Sequence, residues 1–281
     1  MRRRKLTNRV MGVLIAVTFV LALLPLFSVL WLTVKNGSKR FDAEFLTHSM
    51  KGIGATDAAG GAYHAIVGTL EQVGLATLMA VPLALLTAVY LVEYGGISRF
   101  AKIVSYVVDV MTGVPSIVAG LFVFAFWILA LHQPFSGFAG ALALTILMVP
   151  IVVRGCEEML RLVPSELREA SYALGIPRWK TILRIVLPTA LPGLVTAIML
   201  GVARITGETA PLLLTVFGAD AINNDPFHGP QSGLPLFVFD QAARPNQVAV
   251  DRAWAGALTL ILIVMALNVV ARLAVRRRAA H

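Results

Sequence analysis

Long apolar stretches without a charged residue alternate with polar connections along most of this chain. A helix that crosses a lipid bilayer needs about 20 such residues, because each adds about 1.5 Å. Six stretches reach this length or come close to it, and the fifth stays largely apolar to about residue 217. The pattern therefore predicts an all-α protein with six transmembrane helices, near residues 11–34, 72–92, 110–131, 133–153, 185–203 and 253–271.

Composition supports this interpretation. The 281 residues are 58% hydrophobic and 14% charged, with a mean hydropathy of +0.80, whereas soluble proteins carry about 25% charged residues. Placing the N-terminus inside the cell puts most of the 24 basic residues on the cytoplasmic side, as the positive-inside rule requires. The net charge of +9 then reflects membrane topology, so neither nucleic-acid binding nor a cofactor is expected. A lone cysteine, Cys156, excludes an internal disulfide and a cysteine zinc cluster, and we expect no metal site.

This topology predicts cytoplasmic termini and four parts of the chain. Residues 1–35 form an N-terminal tail and the first helix, which is too long for the apolar core of a cleaved signal peptide. Residues 36–68, rich in glycine and alanine, form an extracytoplasmic loop that is expected to be mobile. Residues 69–273 form the five-helix core, with a second long outer connection at 218–252, and residues 274–281 form a basic cytoplasmic tail.

The cytoplasmic loop 154–188 mixes charged and apolar residues. Ser165 can cap a helix start, Gly175 can end that helix in the left-handed conformation, and Pro177 suits the start of the next one. In between, Leu167, Ala170, Ser171 and Leu174 share one face. The helix is too short to cross a membrane and too apolar on that face to stand free, so it needs a partner groove or the membrane interface.

The spacing within this loop resembles the cytoplasmic "EAA" loop of bacterial ABC importer permeases, with Ser171 where the pattern has a second alanine. The resemblance implies a type I ABC importer permease fold and a coupling helix that docks on an ATPase subunit. The alternative is an interfacial helix with accidental spacing. No G-x4-G-K-[ST] motif occurs in the chain, so a partner must bind the ATP. The implied docking residues are Glu169, Ala170, Ser171, Gly175, Ile185, Leu187 and Pro188.

Two segments within the spans, together with Trp254 and Asn268, resemble the PstA-type permease family of phosphate importers, over about residues 64–275. One segment is G-V-P-S-I at 113–117 and the other is R-x-x-G-E-T-A-P at 204–211. The resemblance implies a bacterial inner-membrane location among lipid. It also implies a sister permease, two ATPase subunits and an extracytoplasmic phosphate-binding protein as partners. Helix breaks, and with them a gate, are expected at Gly113, Pro115, Ser116, Gly207 and Pro211.

Charged residues within the fifth span are candidates for the substrate path. An ionised side chain at a helix centre costs about 2.5–3.5 kcal/mol on insertion scales, and Arg204 and Glu208 can pair across one turn. One interpretation is a structural ion pair between subunits. The other is a path in which Arg204 attracts an oxyanion through its guanidinium fork, Glu208 partly neutralises it, and Thr209 lies beside the break. Arg154 is either a second contact at the inner mouth or a snorkelling anchor.

Three alternatives compete with a phosphate permease. The same architecture serves another oxyanion, such as sulfate or molybdate. A six-span scaffold would have no reason to present an ATPase-docking helix. A secondary transporter would need coupling-ion residues and internal repeats, and neither is found. We therefore expect a permease subunit that is not itself an enzyme.

Overall fold

The structure, a computed structural model, describes residues 2–54, 56–96 and 98–279. Its described part is helical, and an isolated bridge between Phe217 and Gln231 is the β pairing found there. Met1 and the last two residues of the predicted basic tail, 280–281, lie outside the described residues. The helices are α1 (Arg2–Gly37), α2 (Ala43–Thr47), α3 (Tyr63–Val89), α4 (Arg99–Thr112), α5 (Ser116–Val123), α6 (Gly137–Arg161), α7 (Ser165–Ala173), α8 (Arg178–Thr181), α9 (Leu187–Thr206), α10 (Ala210–Thr215), α11 (Leu234–Ala242) and α12 (Gln247–Ala279).

Three π-helical turns extend these helices in the described residues. They continue α3 through Tyr90–Tyr94, continue α5 through Phe124–Ala130, and join α8 to α9 through Ile182–Val186. In the described part of the chain, five helical stretches are long and apolar enough to cross a membrane, and a sixth crossing is formed if α4 and α5 are counted as one bent span. This agrees with the predicted all-α membrane protein of six spans.

The core consists of α3, α6 and α9, packed through small residues. Along α3, Ala76, Ala80, Ala84 and Ala88 recur every fourth position and are fully buried. In α6 and α9, a Cβ added to Gly201 would lie 2.7 Å from Val152, and one added to Gly193 would lie 2.5 Å from Met159. Such small residues let helix backbones approach closely, which is how membrane helices gain packing energy.

The third predicted span has a different form from the one expected. The uncharged run 110–131 is not one straight helix, because α4 and α5 meet at an angle of 104° across Gly113, Val114 and Pro115. Pro115 cannot donate a backbone hydrogen bond and disfavours helical geometry at Val114. The predicted third span is therefore a bent pair of helices, in which α4 turns away from α5 and its π-helical turn.

Part of the segment 36–68, which was expected to be mobile, packs against the helices in the described residues. Asp42 caps α2 by accepting a hydrogen bond from the Phe45 amide at 2.8 Å, and this bond lowers the pKa of the Asp42 carboxyl. Phe45 and Met50 are buried against α11 and α12. The fully buried Arg252 of α12 donates to the Ala59 carbonyl at 3.1 Å. The loop is therefore a lid over one end of the bundle, here called the α11 end, whereas α7 lies at the opposite end, here called the α7 end.

Candidate functional site

The centre of the candidate site is an interruption between α9 and α10. The α9 helix ends at Thr206, and α10 begins at Ala210 after Gly207, Glu208 and Thr209. Arg204, in the last turn of α9, donates a hydrogen bond from Nη1 to Glu208 Oε1. Its side chain is 62% exposed, whereas that of Glu208 is 9% exposed. The break therefore presents a guanidinium group outward on a carboxylate that is held inside the protein.

The α5 helix, which begins within the G-V-P-S-I segment, packs against α10, which follows the break. A Cβ added to Gly120 of α5 would lie 2.6 Å from the Cα of Pro211 in α10. Only a glycine allows this distance between the two backbones. Gly113, Pro115 and Ser116 lie at the α4–α5 bend, and Ser116 begins α5, the helix that contains Gly120. The short helix after the break is thus braced by the helix that follows the bend.

Arg154 is not brought together with Arg204. On α6, Gly155 packs against Ala197 and Val152 against Gly201, so Arg154 lies closer to the α7 end than Arg204 does. Its guanidinium pairs with Glu157 and with Asp109 of α4, and it also donates to the Ser105 carbonyl at 2.8 Å. These bonds fasten α4 to α6 and engage both terminal nitrogens of the guanidinium.

The predicted coupling helix has the expected local form. It runs as α7 from Ser165 to Ala173, Gly175 follows at φ +73°, and Pro177 precedes α8. Glu169 and Ala170 are exposed, together with Leu167 and, at 79% exposure, Leu174.

Ser171, also expected at the docking face, is 2% exposed and forms a 2.7 Å hydrogen bond with Thr181 instead. It therefore faces its own chain. The remaining docking candidates lie further on, where Ile185 and Leu187 are half-buried and Pro188 is exposed at the start of α9.

Two polar clusters escaped the sequence analysis. At the α7 end, Arg168 pairs with Glu93 at 2.8 Å. Near the α11 end, the Gln72 amide donates to Gln231 Oε1 at 2.9 Å, and Gln231 in turn donates to Glu71. The only sequence signal for either cluster is a carboxylate or amide inside an apolar stretch, which names no partner. Both clusters join positions far apart in the chain.

A polar cavity of about 260 Å³ opens beside the Gln231 cluster. Burial raises the pKa of its Asp240 carboxyl, and the nearby Asp220 acts in the same direction. The described residues lining it are His64, Phe217, Gly218, Ala219, Asp220, Ser232, Phe237, Asp240, Gln241 and Arg244. Two carboxylates, those of Asp220 and Asp240, line this cavity beside Arg244, whereas the α9–α10 break presents a guanidinium group that suits an anion.

Solved structures support the fold assignment. The chain is similar to a chain of the MetNI methionine ABC transporter in its inward-facing conformations, with a TM-score of 0.57 and 20% identity over 77% of this chain and 94% of that one. It is also similar to a chain of an amino acid ABC transporter, with a TM-score of 0.55 and 18% identity over 76% and 92% of the two chains. The fold is that of an ABC importer permease.

Sequence comparison identifies the family. A family model described as "Binding-protein-dependent transport system inner membrane component" matches residues 80–279. The chain is 50% identical to phosphate transport system permease protein PstA 1 of Mycobacterium tuberculosis, covering 98% of this chain and 92% of that protein. It is 37% identical to PstA of Pasteurella multocida, covering 96% and 95%. The chain therefore belongs to the binding-protein-dependent transport system inner membrane components, as a permease of the PstA type.

Proposed function

We propose that this permease carries inorganic phosphate into the cell, and that Arg204 contacts the anion on its way. The observation that carries the proposal is the exposed guanidinium on a buried carboxylate at the α9–α10 break. A charged group facing lipid at this depth would be costly. The exposed face of Arg204 is therefore directed at a second subunit or at a water-filled path, which irregular backbone also requires.

The pairing with Glu208 suits transport better than tight binding. A guanidinium offers a planar fork of donors to a tetrahedral oxyanion. Since Glu208 takes up part of the positive charge, an anion bound to Arg204 is held weakly enough to leave. Thr209, half-buried next to Glu208, adds a hydroxyl group at the same break. We do not assign Arg154 a substrate contact, because its two terminal nitrogens already pair with Asp109 and Glu157.

The names of the similar proteins support this substrate and the set of partners. The curated relatives are phosphate transport permeases, and the family description names a binding-protein-dependent system. We infer that a sister permease completes the path, that two ATPase subunits supply the energy, and that an extracytoplasmic phosphate-binding protein delivers the anion. From the distribution of basic residues we infer that both termini and α7 lie in the cytoplasm.

Coupling to the ATPase subunits is assigned to the exposed face of α7. Leu167, Ala170 and Leu174 present apolar surface there, beside the acidic Glu169. Exposed apolar patches of this kind mark protein interfaces. Ser171 points inward and anchors the helix, so it supports docking without touching the partner.

Transport measurements with the complete set of subunits test the proposal. ATP-dependent uptake of labelled phosphate should resist an excess of sulfate. Arg204→Gln should abolish uptake while the complex still assembles, and Arg204→Lys should retain part of it, because an ammonium keeps the charge and loses the fork.

The charge-exchanged variant, Arg204→Glu with Glu208→Arg, separates a path residue from a structural pair. It should assemble without transporting, since the cation has moved by one helical turn. Uptake at the parental rate in this variant would show that the pair is only structural, and full competition by sulfate would show that the cargo is a different oxyanion.

A further inference from the structure

Glu93 is a buried carboxylate that the proposed path does not use. It lies in the π-helical turn Tyr90–Tyr94 at the α7 end of α3, and it is 3% exposed. Burying a charge is expensive unless it is paired and hydrogen-bonded. Single π-helical turns inside α-helices occur frequently at functional sites. Both the position and the burial of Glu93 therefore call for a specific partner.

That partner is Arg168 of α7. Its Nη2 and Nε atoms donate to the same Glu93 oxygen, Oε1, at 2.8 and 3.1 Å. The guanidinium also donates to the Val163 carbonyl at 2.6 Å and to the Leu160 carbonyl at 3.0 Å. With its side chain 17% exposed, Arg168 ties together α3, the end of α6 and α7. Among the described residues, its bond to Glu93 is the polar contact that joins α7 to α3.

A second contact fastens α7 to the helix that follows it. Ser171 and Thr181 are 2% and 0% exposed, and their hydroxyl groups lie 2.7 Å apart. Thr181 directly precedes the π-helical turn Ile182–Val186, which leads into α9. The α7 helix is thus attached on its inner face to two spans, each at a π-helical turn, while its outer face stays exposed.

We infer that Glu93 and Arg168 are positioning residues that join α7 rigidly to α3, so that a displacement imposed on α7 moves the inner end of α3 with it. The inference rests on the proposed docking of an ATPase subunit on α7. The chain itself links α7 only to α6 and α8. Without the ion pair, α7 would therefore lose its polar connection to α3, one of the three core helices.

The surroundings make Glu93 hard to replace. The pair borders an open cavity of about 610 Å³, and the described residues lining it include Arg161, Arg168 and Arg178, with Glu93 as the acidic group. Neutralising Glu93 would leave the Arg168 guanidinium, whose side chain is 17% exposed, without its carboxylate partner beside this cavity. An unpaired buried charge is costly, and among the described lining residues no other acidic group on the α3 side would hold α7 against α3.

The test uses the complete transporter in proteoliposomes and measures phosphate uptake and ATP hydrolysis in the same preparation. Glu93→Gln and Arg168→Gln should each retain the ATPase subunits and hydrolyse ATP, while phosphate imported per ATP falls at least about tenfold, which corresponds to about 1.4 kcal/mol. The exchange Glu93→Arg with Arg168→Glu should recover part of the loss. Arg161→Gln is the matched control, because Arg161 pairs with Glu157 on the same helix and is 65% exposed. The Arg161→Gln variant should import as much phosphate per ATP as the parent.

A cross-link keeps the test decisive if the neutralised variants fold poorly. Glu93→Cys and Arg168→Cys are combined in a Cys156→Ser background and joined by a short, reducible bifunctional thiol reagent. If α7 and α3 move as one rigid unit, cross-linking should raise the amount of phosphate imported per ATP, and reduction of the cross-link should reverse this gain. The inference would be overturned if the neutralised variants imported as much phosphate per ATP as the parent. It would also be overturned if the cross-linked transporter hydrolysed ATP without importing phosphate. Neither result would contradict the proposed function. A parental complex without ATP-dependent phosphate uptake would overturn the proposed function as well.

Discussion

The contact between Gly120 and Pro211 gives a sharp prediction about the α9–α10 break. Gly120→Ala adds a methyl group whose Cβ would lie 2.6 Å from the Pro211 Cα and 3.0 Å from its carbonyl oxygen, whereas ordinary van der Waals contact begins at 3.4 Å. The two backbones must therefore separate by about 0.8 Å. The clash cannot be relieved by a side-chain rotation, because the Pro211 atoms involved belong to the backbone. Overpacking of this kind costs about 1–3 kcal/mol.

That cost disfavours the arrangement in which α5 braces α10. A penalty of about 1–3 kcal/mol corresponds to about a 5- to 150-fold change in an equilibrium. We expect Gly120→Ala to lower phosphate uptake within this range and to lower the thermal midpoint of the purified complex. Gly74→Ala is the matched control, because an added Cβ meets no atom within 4 Å there and alanine is the better helix former.

The measurement compares initial uptake rates and melting curves of the two variants with those of the parent. The control should show parental uptake and an equal or higher melting temperature. If Gly120→Ala transports and melts like the parent, α5 and α10 do not pack as described, and the bracing of the break would have to be abandoned.

Three further predictions address the coupling helix, the topology and the α4–α6 tie. Gly175→Val should abolish uptake in an inserted protein, because φ is +73° and β-branched residues tolerate that conformation poorly; normal transport would contradict the helix end described for α7. With Cys156→Ser as background, Gly229→Cys should react with an impermeant thiol reagent in intact cells and Ser165→Cys should not, and the reverse pattern would invert the topology. Arg154→Gln should lower the melting temperature more than it changes phosphate affinity, and a selective loss of affinity would restore Arg154 to the path.

The number and approximate position of the spans were predictable, because they depend only on the solvent preference of consecutive side chains. Their ends were not. The fourth uncharged run stops at 153, yet α6 continues to Arg161. Glu157 is held there between Arg154 and Arg161, and paired charges are tolerated where single ones are not. A count of charged residues along the sequence cannot show which of those residues pair with each other.

Some features of the candidate site were likewise predictable from the sequence, and others were not. The Arg204–Glu208 pair follows from helical spacing and was predictable, as were the end of α7 and its glycine. The partners of Glu93 and Gln72 depend on contacts across 75 and 159 positions, which no local pattern encodes. The packing of the loop 36–68 could not be predicted for the same reason, since it includes a contact with the buried Arg252, which the sequence shows only as a charge outside the spans.

The lack of burial along α1 determines how freely this helix can change in sequence. The most apolar window of α1 has no residue buried within this chain, and its contact with the bundle lies at its far end, where Gly37 packs against Trp254 and Leu258. Its insertion is therefore driven by its own hydrophobicity, independently of whether the other helices have packed. Random exchange of one apolar residue for another should be accepted freely along α1 by a folding screen on this chain alone. The same screen performed on the assembled transporter would report which of its faces another subunit covers.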